Sequence, residues 1–490
     1  MTKLQQYLPL LLAIVAVIGM IFGMRLQSSL VSDGYLSEEP LPEVESINQA
    51  LQHIQSKYYG DLDQGEFTNE VLGAIVENLD GFSYYFEATH DTMYARYMKG
   101  LYRGIGIEFL DHRDTFYITD IIPGGPADEV GIEAGDVLLA LEGVPLTDGI
   151  VDRDSVLRIS DLPDGDTLEL SIMDGRTSVQ SEVSIIVGNV DIPLVRDYLI
   201  DTEEIISYVR IERFYEGVFR DFMEALDQHA AQGASTKRLI IDLRDNPGGI
   251  VDETVKILNQ LIKEKNQRLI STIDNRGKVK TYDSNGRGFL DVQRIAVLVN
   301  EHSASASEIL AAVLQDHDRA VVIGSQTYGK GVIQQNYNLA NRGSINLTIG
   351  AYQLPSGRYI STASTDSIYY TLQNHRPIAD GPAVQPDITL DACDTRIRNY
   401  DLLKRSMIDQ DLWHTPLLAE NRRLLTAGIY EATPSDSCFA NYEMALEWFM
   451  TEQQNSFGDT LTITQVDPWI ERAVKIISSP RYDEILAPQG

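Results

Sequence analysis

The chain has 490 residues, enough for about three domains at roughly 100–200 residues each. Hydrophobic residues make up 43% and charged residues 23%, a balance that argues against disorder or a fibrous repeat for the bulk of the chain. Forty Lys+Arg against 72 Asp+Glu leave a net charge of −32, which disfavours general nucleic-acid binding, and two cysteines exclude a disulfide-dense scaffold or a four-cysteine zinc site.

The eight histidines lack HExxH-type spacing, so neither a metal nor another cofactor is expected. Residues 8–24, LPLLLAIVAVIGMIFGM, carry no charge and lie at the short end of what spans a bilayer. They read as an uncleaved membrane anchor, with a cleaved signal peptide as the alternative. Lys3 precedes them, and after Arg25 no basic residue follows until Lys57, while Asp33, Glu38, Glu39, Glu43 and Glu45 intervene. That asymmetry keeps the N-terminus inside and exports the rest, to a bacterial periplasm or cell envelope, or into the medium after cleavage. An exported compartment permits a Cys393–Cys438 disulfide, and two unpaired thiols remain the alternative.

After the anchor (1–25) and a linker (26–40), residues 41–98 carry helical periodicity in Ile47, Leu51 and Ile54, then Val71, Ile75 and Leu79. Residues 99–190 change to alternating runs such as TFYITDI (115–121) and TLELSIM (167–173), with Asp174-Gly175 as a hairpin signal. From 191 to 392 apolar strands alternate with helices. IISYVRI precedes VFRDFMEALDQHAA, RLIIDLR runs through DNPGG into VDETVKILNQLIKE, and IAVLVN leads into SASASEILAAVLQDH and then AVVIGS. This is an α/β sheet buried on both faces. Residues 393–490 read as a helical C-terminal region.

Two features mark the β-rich module. Tyr102-Arg103-Gly104-Ile105-Gly106-Ile107 is a Gly-rich loop running into a strand, and GGPADEVGIEAGDVLLALEG (124–143) reads as loop, short helix, Gly turn and strand. Together they resemble a PDZ domain. The resemblance implies that backbone N–H groups of Arg103, Gly104, Ile105 and Gly106 bind a free C-terminal carboxylate, with Ile105 and Ile107 as pocket candidates and the peptide adding as a strand. A purely structural packing role is the alternative.

The strongest chemical signal lies at 298–335. Ser303, Ser305 and Ser307 follow a buried strand and open a helix, where ligands of α/β sheets sit and where unpaired N–H donors suit an oxyanion. Ser305-Ala-Ser-Glu308 also fits a capping box. Gly329-Lys330-Gly331 puts a lysine between glycines, where desolvation favours the neutral amine that serves as a base towards a serine. In an extended segment Gln334 shares a face with Lys330 and holds its amine. His302 and His317 are the competing bases, but no GxSxG or GDSGG elbow is present.

The helix–PDZ–α/β order, DLRDNPGG (242–249), VLVNEHSASASEI (297–309), TYGKGVIQ (327–334) and YQLPSGR (352–358) resemble the C-terminal processing peptidases, or tail-specific proteases, over roughly residues 41–390. The resemblance implies a ClpP/crotonase-like α/β protease core with an inserted PDZ domain and helical terminal regions. It implies Ser305 as nucleophile, Lys330 as base, Gln334 as support for the lysine, and an oxyanion hole from the N–H of Ala306 and of Gly248 or Gly249. The implied activity is serine endopeptidase cleavage at or near protein C-termini, on protein or peptide substrates with accessible tails. Self-association is left open.

The family's D-P-H-S turn is here Asp80-Gly81-Phe82-Ser83, a departure expected to alter packing and leave the chemistry untouched. The alternative from another class is a catalytically silent PDZ-bearing scaffold on the outer face of the membrane. A crotonase-like acyl-CoA enzyme rests on fold analogy alone.

Overall fold

The computed structural model describes residues 42–87, 101–113, 115–146, 162, 165–202, 204–233, 237–361, 367–378, 383–390, 408, 460–462 and 468–488. Residues 8–24, Cys393 and Cys438 lie outside these, and with them the anchor and the disulfide. Among the described residues no helix is long and apolar enough to cross a membrane. The lead-in forms α1 (Pro42–Lys57) and α2 (Gln64–Glu77). Residues up to Val71 fall in one compact unit and those from Leu72 in a second, which holds everything below.

After α2 a turn leads into β1 (Tyr84–Phe86). The β-rich module then runs through β2 (Leu101–Gly104), β3 (Ile107–His112), β4 (Thr115–Ile121), α3 (Pro126–Glu129), β5 (Val137–Leu141), β6 (Val144–Pro145), β7 (Thr167–Met173), β8 (Gln180–Ile186) and β9 (Gly188–Asp191). Its main sheet has the order β3-β4-β5-β7-β8, and β2 pairs with β9. Alternation drives it inward on one side: Leu168, Leu170 and Ile172 of β7 are buried with Phe116, Ile118, Leu138 and Ile185.

The α/β core is built on a sheet whose members are β10 (Val195–Asp201), β11 (Ile206–Ile211), β12 (Arg238–Asp242), β15 (Arg294–Val299), β16 (Val321–Gly324), β21 (Ile388–Thr389) and β22 (Thr460–Thr462). Their order is β21-β16-β15-β12-β11-β10-β22, with β11, β12, β15 and β16 parallel. Side chains of these strands sort by alternation onto two faces. Leu239 and Ile241 of β12, with Ile295 and Val297 of β15, pack under α4 (Val218–Ala231), α5 (Val251–Leu261) and α6 (Ala306–Asp316). Ile240, Ala296 and Leu298 face the opposite way.

That second face is covered from the far end of the chain. Trp469, Ile470, Ala473, Val474, Ile476 and Ile477 of α7 (Pro468–Ile477) are buried on it, with Tyr482 and Leu486 of α8 (Arg481–Leu486). The helices expected in the C-terminal region from residue 393 onward are α7 and α8 among the described residues, and they pack on the core sheet. The region's strand β22 pairs parallel with β10, and its helices complete the core. A sheet buried on both faces needs a second layer, and α4, α5 and α6 supply only one.

A second sheet carries β13 (Arg268–Asp274), β14 (Val279–Asp283), β17 (Val332–Asn338) and β18 (Ser344–Gln353), and β1 joins it beside β18. Tyr84, Tyr85 and Phe86 pair with Asn346, Ile345 and Ser344. The end of the lead-in is thus stitched into the core next to the β17–β18 hairpin. A two-stranded ribbon of β19 (Tyr369–Tyr370) and β20 (Pro377–Ile378) precedes β21.

Candidate active site

Ser305 is the N-cap of α6, immediately beyond β15. Its backbone sits at φ 55°, ψ −114°, a sparsely populated region that costs on the order of 1–3 kcal/mol and needs surrounding structure to hold it. Gly248 supplies part of that structure. A Cβ there would lie 2.6 Å from Ala304 O and 2.8 Å from both Ala306 N and Ser305 Cβ, so only glycine lets the DNPGG turn press on the serine. Asn246 braces the turn. Its side chain donates to Ile211 O and accepts from Gly248 N, and its carbonyl accepts from Ala304 N and Ser307 Oγ.

The three serines divide sharply. Ser303 and Ser307 are fully buried, donating to Leu243 O and Asn246 O at 2.8 and 2.9 Å. Ser305 alone is partly exposed. The histidines stand apart. His317 is at the far end of α6, about 16 Å along its axis, and its Nε2 meets Arg268 O at 2.7 Å. His302 is exposed.

Glu308 does more than cap. Its Oε2 accepts the N–H of Ser305 and of Lys330, each at 2.8 Å, and its Oε1 accepts Gly329 N and Thr327 Oγ1 at 2.7 and 2.5 Å. One buried carboxylate therefore ties the serine turn to the lysine loop. Burial pushes this carboxyl up from its ordinary value, while the bonds from Thr327, Gly329, Ser305 and Lys330 pull against that. The sequence reading found the cap at Glu308 and missed the bridge, because its partners are some twenty positions away in the chain.

Lys330 lies in the loop before β17, half-buried. Gly331 beside it packs where a Cβ would fall 2.0 Å from Ile360 O. Desolvation holds the amine below the ordinary lysine range, against an opposing pull from the Glu308 charge. β17 bulges between Ile333 and Gln334, which re-aims the side chain, and the Gln334 Nε2 donates to Phe82 O.

Phe82 belongs to the turn that departs from D-P-H-S, and its ring lies 6.0 Å from Lys330 Nζ. The departure from the family's turn therefore lies beside the lysine. Asp80 shapes the turn by accepting the N–H of Phe82 and Ser83 at 2.7 and 2.6 Å. Burial pushes the Asp80 carboxyl up, yet the bonds from Phe82 and Ser83 prevail and hold it below the usual range.

Among the oxyanion candidates, the Gly248 N–H is occupied by Asn246 Oδ1 at 2.9 Å. Gly249 sits at φ 144°, where a Cβ would come 2.3 Å from Phe214 O. The flanking Phe214 N–Gly248 O and Ile250 N–Phe214 O bonds leave the Gly249 N–H directed away from Phe214. Ala306 is the first residue of α6, whose N–H has no acceptor within the helix.

In the β-rich module, Ile105 is 2% exposed, part of the module's core, and its carbonyl accepts Ala127 N at 2.8 Å. Its side chain packs with Phe116, Ile118 and Ile185 in that core. Gly106 at φ 78° turns the chain, and its carbonyl accepts Ile122 N. Arg103 donates to Leu162 O at 3.2 Å. Gly104 closes β2 opposite Gly188, and half-buried Ile107 opens β3, an edge strand among the described pairings.

Residues 205–389 match peptidase family S41 and residues 117–161 match the PDZ domain. The carboxyl-terminal-processing protease of Picosynechococcus sp. is 30% identical over 253 residues, 51% of this chain and 59% of that protein. Its namesake in Synechocystis sp. is 30% identical over 51% of this chain and 58% of that protein. The chain thus spans less than two thirds of these relatives. The carboxy-terminal-processing protease of Bartonella bacilliformis is 29% identical over 63% of this chain and 70% of its own length. Among solved structures, the photosystem II D1 C-terminal processing protease superposes with a TM-score of 0.41 at 24% identity, covering 70% of this chain and 86% of that one. An α/β core with an inserted β-rich module is the expected fold, and the matches to peptidase family S41 at 205–389 and to the PDZ domain at 117–161 fall on that core and that module.

Proposed function

We propose that the protein is a serine endopeptidase that cleaves proteins at or near their C-termini through a Ser305–Lys330 dyad. The observation that carries this reading is the shared carboxylate of Glu308, whose one oxygen accepts the backbone N–H of both residues. A catalytic pair needs its two members fixed relative to each other, and this bridge fixes their backbones.

The chemistry is acyl transfer. Neutral Lys330 takes the proton from Ser305 Oγ, and Oγ bonds to the scissile carbonyl carbon. The charge that forms on the carbonyl oxygen is held by the N–H groups of Ala306 and Gly249. Gly248 is the weaker candidate, because its N–H already has a partner. The intermediate collapses, the C–N bond breaks and Lys330 returns its proton to the leaving amine. Water then hydrolyses the ester, again with Lys330 as base. The lowered Lys330 amine supports this role.

Tail recognition belongs to the PDZ domain. Among the described residues β3 is an edge strand to which a peptide strand could add, and the Gly104–Gly106 turn precedes it, so the N–H groups of Arg103–Gly106 and the half-buried Ile107 are the candidate contacts. Export, with attachment through residues 8–24, follows from the charge asymmetry of the N-terminal segment. The silent-scaffold reading lacks a reason for the desolvated lysine at the serine turn.

Incubation with an unstructured polypeptide tests the assignment. Wild type is expected to cleave it, and Ser305→Ala and Lys330→Ala are expected to abolish cleavage while keeping the wild-type circular dichroism spectrum. A folded Lys330→Ala protein with near-normal turnover refutes the dyad.

A further inference from the structure

The turn at residues 80–83 is distant in sequence from every motif of the catalytic segment, yet it ends against the lysine. Its shape is fixed locally. Asp80 Oδ1 accepts two backbone N–H groups and Asp80 Oδ2 accepts Ser83 Oγ at 3.0 Å, an Asx-type turn that sets the direction of Phe82. Ser83 Oγ in turn accepts Thr348 N at 3.1 Å, and the residues that follow pair with β18, so the turn is pinned to the core sheet on its outgoing side.

Phe82 then touches the site twice. Its ring lies over Lys330 Nζ at 6.0 Å, and its carbonyl accepts the Gln334 amide. The ring is itself backed edge-on by Tyr328, with centroids 6.4 Å apart, from the same loop that carries the lysine. We infer that Phe82 is a positioning residue for Lys330: its ring walls the amine off from water, and its carbonyl anchors Gln334, so the lead-in turn completes the base.

An aromatic face acts on an amine in two opposite ways. It removes water, which favours the neutral form, and its quadrupole attracts the cation. At 6.0 Å the ring is at the outer limit of cation attraction, so exclusion of water prevails. The direction of the lysine's shift, downward with burial as the leading cause, agrees. Removing the ring should therefore hydrate the amine, stabilise its charged form and withdraw base at neutral pH.

This inference rests on Lys330 being the general base, and the test separates the two. The measurement is kcat/KM of the full chain against an unstructured polypeptide across pH, for wild type, Phe82→Ala and Phe82→Leu. Phe82→Ala should move the acidic limb upward by about one pH unit, well inside the roughly 3–5 units that full burial produces. Below the limb that is about a tenfold loss, with the high-pH plateau retained. Phe82→Leu keeps an apolar wall and should keep the wild-type limb.

If Phe82→Ala fails to fold, Phe82→Gln against Phe82→Leu makes the same comparison at similar volume, with the limb raised only in Phe82→Gln. An unmoved limb, a downward shift, or a loss equal at every pH in the polar or truncated variants would overturn the inference, since each describes a ring that merely packs or attracts the cation. A wild-type protein without activity, or an active Lys330→Ala protein, would instead remove the reading on which it rests.

Discussion

Replacing Glu308 by glutamine changes one oxygen into an NH2 group and little else, and the consequence can be worked out from its four partners. Three of them, Ser305 N, Gly329 N and Lys330 N, can only donate. The fourth, Thr327 Oγ1, can also accept, so the new amide nitrogen settles on that side. There it still faces the buried Gly329 N–H, which loses its acceptor. A buried donor left without a partner costs about 1–3 kcal/mol, and the bonds that remain lose their charge assistance. The sum is about 2–5 kcal/mol. At roughly 2–4 °C per kcal/mol for domains of this general size, thermal unfolding followed by circular dichroism should register it clearly.

Turnover should fall as well, although Glu308 touches no substrate. The amide oxygen would still accept Ser305 N and Lys330 N, but without the charge and with the Gly329 N–H released the lysine loop would be held more loosely, and a misplacement of about 1 Å costs on the order of a hundredfold. A Glu308→Gln protein with wild-type melting and wild-type turnover would show that the bridge holds nothing, and would refute the argument for how the two residues are kept in register.

Further outcomes can be measured directly. Gly248→Ala should destabilise the fold and silence the enzyme, since its Cβ would overlap Ala304 O, Ala306 N and Ser305 Cβ; a soluble, active variant would show that the turn has slack that the distances deny. Cleavage should rise with pH along an acidic limb below the ordinary lysine value, because burial lowers Lys330 and only its neutral form accepts the serine proton; a rate independent of pH through that range would oppose the amine as base. A chain ending at residue 390 should fail to fold. Without Trp469, Ile470, Val474, Ile476 and Ile477 it would expose a sheet face whose covering contributes on the order of 10 kcal/mol, comparable with the whole stability of a typical domain; a cooperative melt of that truncated chain would overturn this account of α7.

Local chemistry determined much of this protein in advance. The helix at Val218–Ala231 and the strands at Thr115–Ile121 and Thr167–Met173 have the bounds that their periodicity predicts, because a face or a stripe of apolar residues fixes its own period. Ser305 and Lys330 could be proposed for a similar reason, since a serine opening a buried helix and a lysine between glycines suggest their chemistry in a few adjacent positions. What lay beyond reach was every relation between segments far apart in the chain. Nothing in VDPWIERAVKII announces that its apolar stripe closes the second face of a sheet begun more than two hundred residues earlier, and nothing in LDGFS announces a wall for the lysine. The register shift at Ile333/Gln334, the bond from Gln334 to Phe82 O and the burial of Ile105 in its module's core are likewise set by the fold. The sequence by itself singled out the groups proposed for the chemistry. Only the tertiary structure decided what surrounds them, because burial, the partners of Glu308 and the ring beside Lys330 are properties of space and not of spacing along the chain.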